Sequence, residues 1–427
     1  MSTSTERAKK LIAQFSKIKP FEQILEEIKQ KNPADLEAKA IPGPISWTED
    51  SRQKRVAFLE AEKNISLDWI CGKKTFTDTE DLRGNIEQYI GMTMVPTGVA
   101  GPVSINGTLA SGDYYVPMAT TEGALIASYT RGARATRLCG GVTSVCLTEA
   151  VQRAPVFRFN SLSEVGKFMQ WLLENHSSFQ DIISQHSRFA QLQDLRLNME
   201  GNQVLVILEY TTGDAAGQNM ATICTDALCR HILANCPTQP KEWYIESNYS
   251  GDKKATSVSF STVRGKKVTA EALITRDVVK NVLSTVPESI AQYWQTSSVA
   301  AVQSGSIGIQ GHFANGLTAI FLACGQDVAC VAEAYVGITR MEVTKSGDLY
   351  VAVTLPSLLV GTVGGGTGLP TQNECLKLLD CQGPGSARKL AEICGATVLC
   401  GELSIAAALA GGHFSKAHKI FGRKKKS

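Results

Sequence analysis

The chain has 427 residues, of which 43% are hydrophobic and 19% charged, and its formal net charge at pH 7 is +3. This length allows a large core and two or three domains, and the composition excludes overall disorder. A net charge this small gives no sign of nucleic acid as a partner.

The twelve cysteines are predicted to be reduced thiols. None form a C-x-x-C pair, most lie among Ala, Leu and Val, and no signal peptide opens the chain. Zinc ligands usually lie closer together, so we expect no metal site. The nearly uncharged stretches 289–326 and 351–373 contain many Ser, Gln, Gly and Thr residues, which argues against a membrane span. We therefore expect a cytoplasmic protein with no membrane segment.

The first 80 or so residues are predicted to be helical and rich in charge. One helix is expected in 20–32, with an apolar stripe, and a second in 51–63. From about residue 86 glycine and small residues dominate, and a helix is predicted over 122–138, capped by Thr120 or Thr121. The stripe of the first helix consists of Phe21, Ile24, Leu25 and Ile28.

A small α+β unit is predicted between about 160 and 243. A helix around 162–175 precedes the alternating strands "DLRLNME" and "QVLVILEY", which meet at Gly201-Asn202, a pair typical of hairpin turns. Another helix is expected to begin near Asp214. This order indicates a unit inserted into a larger domain.

Three further elements are predicted beyond this unit. A second hairpin should run from "TSVSFSTV" to "KVTAEALI" and turn at Arg264-Gly265. A long apolar helix is expected around Asp327. The glycine-rich "GTVGGGTGLP" and a final alanine-rich helix follow.

Asp327 is predicted to be a buried carboxylate. No Asp, Glu, Lys or Arg lies between Glu288 and Asp327. An isolated carboxylate on an apolar helix face costs several kcal/mol unless a cation or hydrogen-bond donors meet it. We therefore expect a partner for it. Its neighbours at helical spacing are Ile320, Ala323, Cys324, Cys330, Val331 and Ala334.

Lys253, Glu122 and two histidines are candidates for chemistry. An arbitrary Asp-Lys-Lys is most often a solvated loop, but Lys253 could also meet Asp327 and stabilise an oxyanion. Glu122 is expected in the first turn of a helix, as a structural carboxylate favoured by the dipole or as an acid beside Asp327. His413 and His418 are five apart, which does not suit a metal pair. A lone histidine is more often structural, but one could protonate a leaving group.

Two glycine-containing segments are weak candidates for cofactor binding. Neither G-x-G-x-x-G after a strand nor a P-loop is present. "GDAAGQNM" (213–220) is either an aspartate cap with a packing glycine or a pyrophosphate site on helix N–H groups. "TVGGGTG" is either a flexible turn or backbone that approaches a ligand closely.

Taken in order, several motifs resemble the catalytic portion of hydroxymethylglutaryl-CoA reductases. The resemblance runs from about residue 86 to His418 and implies an NADPH-dependent reduction of hydroxymethylglutaryl-CoA to mevalonate and CoA, with two NADPH consumed. The motifs that carry it are "VPTGVAGPV", "VPMATTEGAL", "RGARA", "GDAAGQNM", "GDKKA", "ACGQDVA", "PSLLVGTVGGGTGLP" and "GELSIAAALAGGH…KAH".

The resemblance implies a role for each matched residue. Lys253 would hold negative charge on the thioester oxygen and Asp327 would orient Lys253. Glu122 would supply a proton to the aldehyde intermediate, and His418 would protonate the CoA thiolate. The implied NADPH contacts are Ser187, Arg188, Asp214, Gly217, Asn219, Gly365, Gly366 and Thr367. The implied acyl contacts are Arg158, Asn248 and Lys254, and the implied CoA contacts are Ser128 and Arg131. Arg188 suits a 2′-phosphate, which favours NADPH over NADH.

The family plan implies an α+β fold. It consists of an N-terminal helical domain (1–85), a large domain around a long central helix (86–158 and 244–427), and an inserted small ferredoxin-like dinucleotide-binding domain (159–243). The family's active site lies between subunits, which implies an obligate homodimer or homotetramer. The "EQYIG" stretch (87–91) resembles its dimer contact, and the chain resembles the first class of these enzymes.

Several positions depart from the family pattern. Thr296 and Ser284 stand where lysines are expected, and Glu246 stands where a serine is expected. Ala216 and Gln218 replace usual methionines. Because lost cations and an added anion should weaken binding of an anionic substrate, a reductase of the same fold acting on a different acyl-CoA is an alternative. A catalytically silent homologue is a third reading.

Overall fold

The structure is a computed structural model, which describes residues 9, 12–16, 19–36, 39–43 and 46–415. The helices are α1 (Phe21–Glu27), α2 (Glu49–Lys63), α3 (Leu125–Arg137), α4 (Leu162–Asn175), α5 (Phe179–Ser184), α6 (Gln218–Asn235), α7 (Val258–Ser261), α8 (Arg276–Leu283), α9 (Pro287–Ser304), α10 (Phe313–Ala323), α11 (Val331–Ala334), α12 (Pro370–Leu378) and α13 (Ser386–Ala410). The strands are β1 (Thr97–Gly107), β2 (Ser111–Ala119), β3 (Val142–Arg153), β4 (Val156–Arg158), β5 (Gln191–Glu200), β6 (Gln203–Thr211), β7 (Glu242–Tyr244), β8 (Gly265–Ile274), β9 (Ile338–Val343) and β10 (Leu349–Leu358).

The two predicted N-terminal helices are both present. The Thr48 side chain accepts the Ser51 N–H and so caps α2, and Asn64 ends this helix in the left-handed conformation, as helix ends often do. The apolar stripe of α1 is only partly confirmed, because Ile24 alone is buried and Leu25 is 45% exposed.

One long strand, β3, joins two sheets. Its first part lies parallel to β1 and antiparallel to β8. Strand β8 pairs with β10 on its other side, and β10 pairs with β9. Its last residues, Val151–Arg153, pair with β6. The end of β3 therefore lies between the large sheet and a second, smaller one.

The smaller sheet belongs to a β-α-β-β-α-β unit, the order that defines a ferredoxin-like arrangement. The strands lie in the order β7-β4-β6-β5, and all of these pairs are antiparallel. The predicted hairpin is confirmed, since Glu200 faces Gln203 across the turn. The first strand that belongs to this unit alone, β4, begins at Val156, three residues before the predicted insertion, whose domain boundaries stay a prediction.

The predicted central helix is α13, which packs against β3, β8 and β10 and against α3. Helix α3 approaches it closely because residue 132 is glycine: a Cβ there would lie 1.9 Å from the carbonyl oxygen of Cys400. Among the described residues α13 is long and apolar enough to cross a membrane, but 83% of its apolar window is buried inside the fold. That burial is typical of a core helix.

The second predicted hairpin is wrong. Val258–Ser261 form the short helix α7, and only the following segment becomes a strand, β8. Both edges of β8 are occupied by β3 and β10, which come from distant parts of the chain. No edge is therefore left for an adjacent hairpin partner.

The predicted long helix around Asp327 is also wrong. Helix α10 ends at Ala323, and Gly325 follows with φ +66°. A positive φ at glycine is a common helix stop. A Cβ at this position would also lie 2.3 Å from the carbonyl oxygen of Gly366, so the chain turns here against the glycine-rich loop.

Candidate active site

Lys253 and Asp327 form an ion pair, as the charge argument predicted. The distance from Lys253 Nζ to Asp327 Oδ2 is 2.8 Å, and the two side chains are 41% and 44% exposed. The hydrogen bond to Asp327 raises the pKa of Lys253. The pair therefore presents a charged ammonium at a surface that a substrate can reach.

Asp327 is not buried, which corrects the sequence expectation. It stands at the start of a short 3-10 helix, Val328–Cys330, where its Oδ1 accepts the N–H of Ala329 at 3.1 Å. A cap position exposes one side of the carboxylate. The free-energy cost of burying Asp327, from which we predicted a charged partner, is thus much smaller than expected.

Glu122 lies elsewhere in the chain. It precedes α3 rather than sitting in its first turn, and the Oγ1 of Thr120 accepts its N–H at 3.0 Å. Thr120 and Thr121 do not cap the helix, because Ala124 is the N-cap with φ +74° and no side-chain hydrogen bond is made there. The predicted capping is therefore wrong.

Helix α10 separates Glu122 from the ion pair. Asn315, near the start of this helix, donates from Nδ2 to Glu122 Oε2 at 2.7 Å, whereas Asp327 follows the end of the helix. At 1.5 Å per residue the helix rises roughly 12 Å between Asn315 and Ala323. Glu122 and the ion pair thus lie by opposite ends of α10, and His418 lies outside the described residues.

A cleft of about 580 Å³ connects Asp327 of the ion pair to both glycine-containing segments. One wall is the start of α6, and the other is the glycine-rich loop after β10. Backbone meets backbone where they join: Ala215 bridges to Val363, and a Cβ at Gly361 would lie 2.3 Å from the Ala216 nitrogen. The predicted residues that line this cleft are Gly217, Asn219, Asp327, Gly365, Gly366 and Thr367.

The N-terminus of α6 fits an anionic ligand. Gly217 is its N-cap with φ +84°, and no side chain caps the helix. The first residues of the helix, 218–220, line the cleft. Uncapped N–H groups and the helix dipole favour a phosphate at such a position.

Asp214 is engaged away from the cleft. Its carboxylate accepts the N–H groups of Gly385 at 3.0 Å and Ala387 at 2.8 Å, so it caps the start of the central helix. Helix α6 begins at Gln218, four residues later than expected. The direct role of Asp214 in cofactor binding stays a prediction.

Ser187 and Arg188 lie in the turn after α5, outside the residues that line the cleft. The Ser187 Oγ accepts the N–H of Phe189 at 3.2 Å and of Ala190 at 3.1 Å. Arg188 is exposed. An exposed guanidinium on this turn is available to a phosphate, although the structure does not bring it to the ion pair.

The residues predicted to bind the acyl group are engaged within the chain. Arg158 Nη1 lies 3.3 Å from Glu242 Oε2, and the Nζ of Lys254 donates to the Asp252 carbonyl at 2.9 Å. Asn248 has φ +66° and donates its N–H to Glu246. Arg158 would therefore have to leave Glu242 to bind a substrate carboxylate, whereas the Asn248 contact uses only its backbone.

The residues predicted to face CoA meet the central helix. Ser128 Oγ lies 3.0 Å from Ser404 Oγ, and Arg131 donates to both the side chain and the carbonyl of Ser404. At the departing positions, Thr296 is exposed on α9 and Ser284 is the left-handed C-cap of α8. Neither supplies a cation.

Sequence reasoning missed a set of buried and half-buried charged residues next to Lys253, which we call the arginine–carboxylate cluster: Arg153, Glu246, Asp252, Arg264 and Glu333. Glu333 is 1% exposed, and burial raises its pKa to about 7. A carboxylate six residues after Asp327 in an otherwise apolar run was the available signal. Its partners could not be identified because they lie far away in sequence.

The cleft combines an uncapped helix N-terminus with a carboxylate that orients an ammonium, which suits an enzyme that binds an anionic cofactor. A family model described as hydroxymethylglutaryl-coenzyme A reductase matches residues 51–423. The 3-hydroxy-3-methylglutaryl-coenzyme A reductase of Aeropyrum pernix is 43% identical, over 86% of this chain and 89% of its own length. That of Pyrococcus abyssi is 41% identical, over 86% and 91%.

Solved structures agree on the fold. A class II 3-hydroxy-3-methylglutaryl-CoA reductase from Streptococcus pneumoniae, bound to NADPH in open conformations, aligns with a TM-score of 0.67 at 21% identity, over 86% of this chain and 100% of that chain. The chain belongs to the hydroxymethylglutaryl-CoA reductase family. The resemblance that the motifs carried is thus confirmed.

Proposed function

We propose that this chain reduces hydroxymethylglutaryl-CoA to mevalonate and CoA with NADPH. The observation that carries the proposal is the Lys253–Asp327 pair at 2.8 Å, whose aspartate lines a cleft that both glycine-containing segments share. An ammonium held by a carboxylate is suited to an oxyanion that develops on a thioester carbonyl. The family membership supplies the substrate and the product.

The cofactor proposal fits the residues present. Gly217 and Asn219 on one wall, and the loop of Gly365, Gly366 and Thr367 on the other, would hold the dinucleotide across the cleft. NADPH, when bound, supplies the hydride. Arg188 and Ser187 would contact the 2′-phosphate, a role that the resemblance assigns to them and that favours NADPH over NADH.

The chain's own groups would manage charge and protons. Lys253 would stabilise negative charge on the carbonyl oxygen in each reduction, and Asp327 would keep its ammonium oriented. Glu122 would deliver a proton to that oxygen, and His418 would protonate the CoA thiolate as it leaves. Arg158, Asn248 and Lys254 would orient the acyl group, and Ser128 and Arg131 would face CoA.

We also propose that the active form is at least a dimer, with Glu122 supplied by a second copy. Within one chain, Glu122 contacts the start of α10, whereas Asp327 of the ion pair follows the end of this helix. The segment 86–94 has no regular structure and exposes Ile86, Ile90, Met92 and Met94, of which Ile90 is 100% exposed. Such a row of apolar side chains is suited to burial against another chain. A dimer of dimers, as in the first class, is consistent with this.

The cysteines support a reducing compartment such as the cytoplasm. All twelve are free thiols, and only Cys71 is not buried. Cytoplasmic proteins rarely depend on disulfides.

The test is loss of NADPH absorbance in purified protein on addition of hydroxymethylglutaryl-CoA. We expect turnover with NADPH, slower turnover with NADH, and loss of activity in Lys253→Ala. Lys63→Ala is the matched control, because Lys63, at the end of helix α2, forms a 2.9 Å pair with Asp380 and neither residue lines the cleft. Full activity in Lys253→Ala would refute the mechanism.

A different acyl-CoA is the second candidate, and Thr296 and Ser284 are the observations that favour it. Glu246 is the third such departure, and its carboxylate accepts the N–H of Asn248 and the hydroxyl of Ser250. A comparison of kcat/KM across acyl-CoAs decides between them. A preference for an acyl group without the terminal carboxylate would support the alternative.

A further inference from the structure

We propose that the arginine–carboxylate cluster is a positioning device that fixes the backbone of Lys253 so that its ammonium meets Asp327. The inference rests on the proposed role of Lys253 in the reaction. It assigns positioning roles to Arg153, Arg264 and Glu333, which themselves lie beneath the cleft rather than in it.

Lys253 needs such support because its backbone is strained. Its φ is +55°, in the left-handed region, which is unfavourable for a residue with a long side chain. A residue held in such a conformation persists only when its surroundings over-determine it. The residues on either side therefore have to be anchored.

Asp252, the residue before Lys253, is held in place by two arginines. Its carboxylate lies 3.0 Å from Arg153 Nη1 and in direct contact with Arg264 Nη2. The side chain of Arg264 is only 3% exposed. Burial alone would raise the pKa of Asp252, but the charges of Arg264 and Arg153 hold it below its ordinary value. Asp252 is thus a fixed anion between two guanidinium groups.

Glu333 anchors Lys253 itself. Its Oε1 accepts the N–H of Lys253 at 3.4 Å, and its Oε2 lies 2.7 Å from Arg264 Nε. Asp327 begins the 3-10 helix that runs directly into α11, which carries Glu333. The short segment 327–333 therefore contains both Asp327, which pairs with the Lys253 side chain, and Glu333, which accepts the Lys253 backbone N–H.

Glu246 and Arg153 extend the cluster to the neighbouring parts of the site. Glu246 accepts the Asn248 N–H at 2.8 Å and lies 3.9 Å from Arg153. Arg153 also donates from Nε to Thr222 Oγ1 on α6 at 2.9 Å. The cluster thereby links the proposed acyl loop, the Lys253 turn and the helix that begins at the proposed dinucleotide site.

Glu333 makes the cluster sensitive to pH. The groups that face it are Arg264, Asp252, the Lys253 backbone and Cys330, and burial raises its pKa to about 7. Ionisation of Glu333 near neutral pH strengthens its electrostatic attraction to Arg264 and its hydrogen bond from the Lys253 N–H. We therefore expect kcat to rise with pH through a limb near 7 that Glu333→Gln lacks.

The test compares kcat, the KM for NADPH and the melting temperature across variants of the full-length protein. Arg264→Gln should lower kcat about 100-fold, the cost of roughly 1 Å of misplacement, with little change in the KM for NADPH. Arg264→Lys should recover part of this loss because it restores the charge. Arg388→Gln is the matched control: this arginine is also largely enclosed and donates to the Cys146 carbonyl, so its loss should lower stability without lowering kcat.

Parallel measurements on Lys253→Ala separate two failures. If Lys253→Ala is fully active, the proposed function of Lys253 fails. If Lys253→Ala is inactive while folded Arg264→Gln keeps the wild-type kcat, only the positioning role is overturned. If Arg264→Gln does not fold, the pH profile decides: loss of the limb near pH 7 in Glu333→Gln supports the proposal, and its persistence overturns it.

Discussion

Two groups of carboxylates in this protein differ in burial and in their hydrogen-bond partners. Glu392 and Glu402 lie on the central helix α13 and are buried, whereas Asp327 and Glu122 lie at the proposed active site and are exposed. The first pair is enclosed by hydrogen-bond donors of the backbone, and the second pair has few partners and an open side. The burial argument that the sequence raised for Asp327 thus applies instead to the helix carboxylates.

The partners make the contrast concrete. Glu392 accepts N–H groups from Leu109, Ala110 and Cys146 at 2.9, 2.8 and 3.2 Å. Glu402 accepts those of Gly311 and His312 and the hydroxyl of Thr339, at 2.7, 2.6 and 2.7 Å. Burial favours the neutral form of Glu402, but the hydrogen bonds and charge of His312 prevail, and its pKa is lowered. The oxygens of these two buried carboxylates accept hydrogen bonds from the protein, and they are therefore not available to a substrate.

The largest expected effect is on folding. Glu402→Ala should lower the free energy of unfolding by about 3–5 kcal/mol, because three buried donors lose their acceptor at once. Urea denaturation measures this directly. Glu342→Ala removes an exposed partner of Arg340 and should change stability little. Equal stability of Glu402→Ala and the wild type would break the comparison.

The opposite behaviour is expected at the site. Asp327→Asn should lower kcat about 100-fold, equivalent to roughly 2.7 kcal/mol of activation free energy, because Lys253 loses the partner that orients it. Its melting temperature should stay close to that of the wild type, since the carboxylate is 44% exposed. Steady-state kinetics and thermal melts on one preparation test both halves. A large drop in melting temperature would make Asp327 a structural carboxylate after all.

Local patterns predicted the elements that depend on local contacts. The hairpin turning at Gly201 and Asn202 and the helix α13 are both where the alternation and the apolar run placed them. The partner of Asp327 was also found, because a charge-poor region makes an isolated carboxylate conspicuous and the motifs pointed to Lys253. In these cases a few neighbouring residues carry the information.

Contacts between segments far apart in the sequence could not be predicted from such local patterns. Strand β8 was assigned to a hairpin because its true neighbours, β3 and β10, are more than 100 and about 80 residues away in register. The cluster around Arg264 and Glu333 joins segments 69 residues apart in the same way. The apolar periodicity placed Asp327 in a helix. Periodicity carries no information about the contact with the glycine-rich loop, where Gly325 turns the chain.

Glu333 is an intermediate case, buried like Glu402 but adjacent to the site. Its pKa is about 7 in the folded chain against 4.5 for the ordinary group, so the folded state binds more protons than the unfolded state between these pH values. The free energy of unfolding should therefore fall as the pH rises through this window, by roughly 3 kcal/mol from this group. Glu333→Gln should lack that part of the slope, while Glu342→Gln keeps it. Denaturation at several pH values measures it.

The smallest effect concerns Asp214, which the motif assigns to the cofactor and the structure places at the start of the central helix. Asp214→Asn should lower the free energy of unfolding by about 1 kcal/mol, because a charged cap becomes a neutral one. The KM for NADPH should change less than twofold, since the carboxylate points at Gly385 and Ala387. Thermal melts and NADPH titrations on the same samples separate the roles. An unchanged melting temperature with a KM raised tenfold or more would move Asp214 from the structural carboxylates to the site.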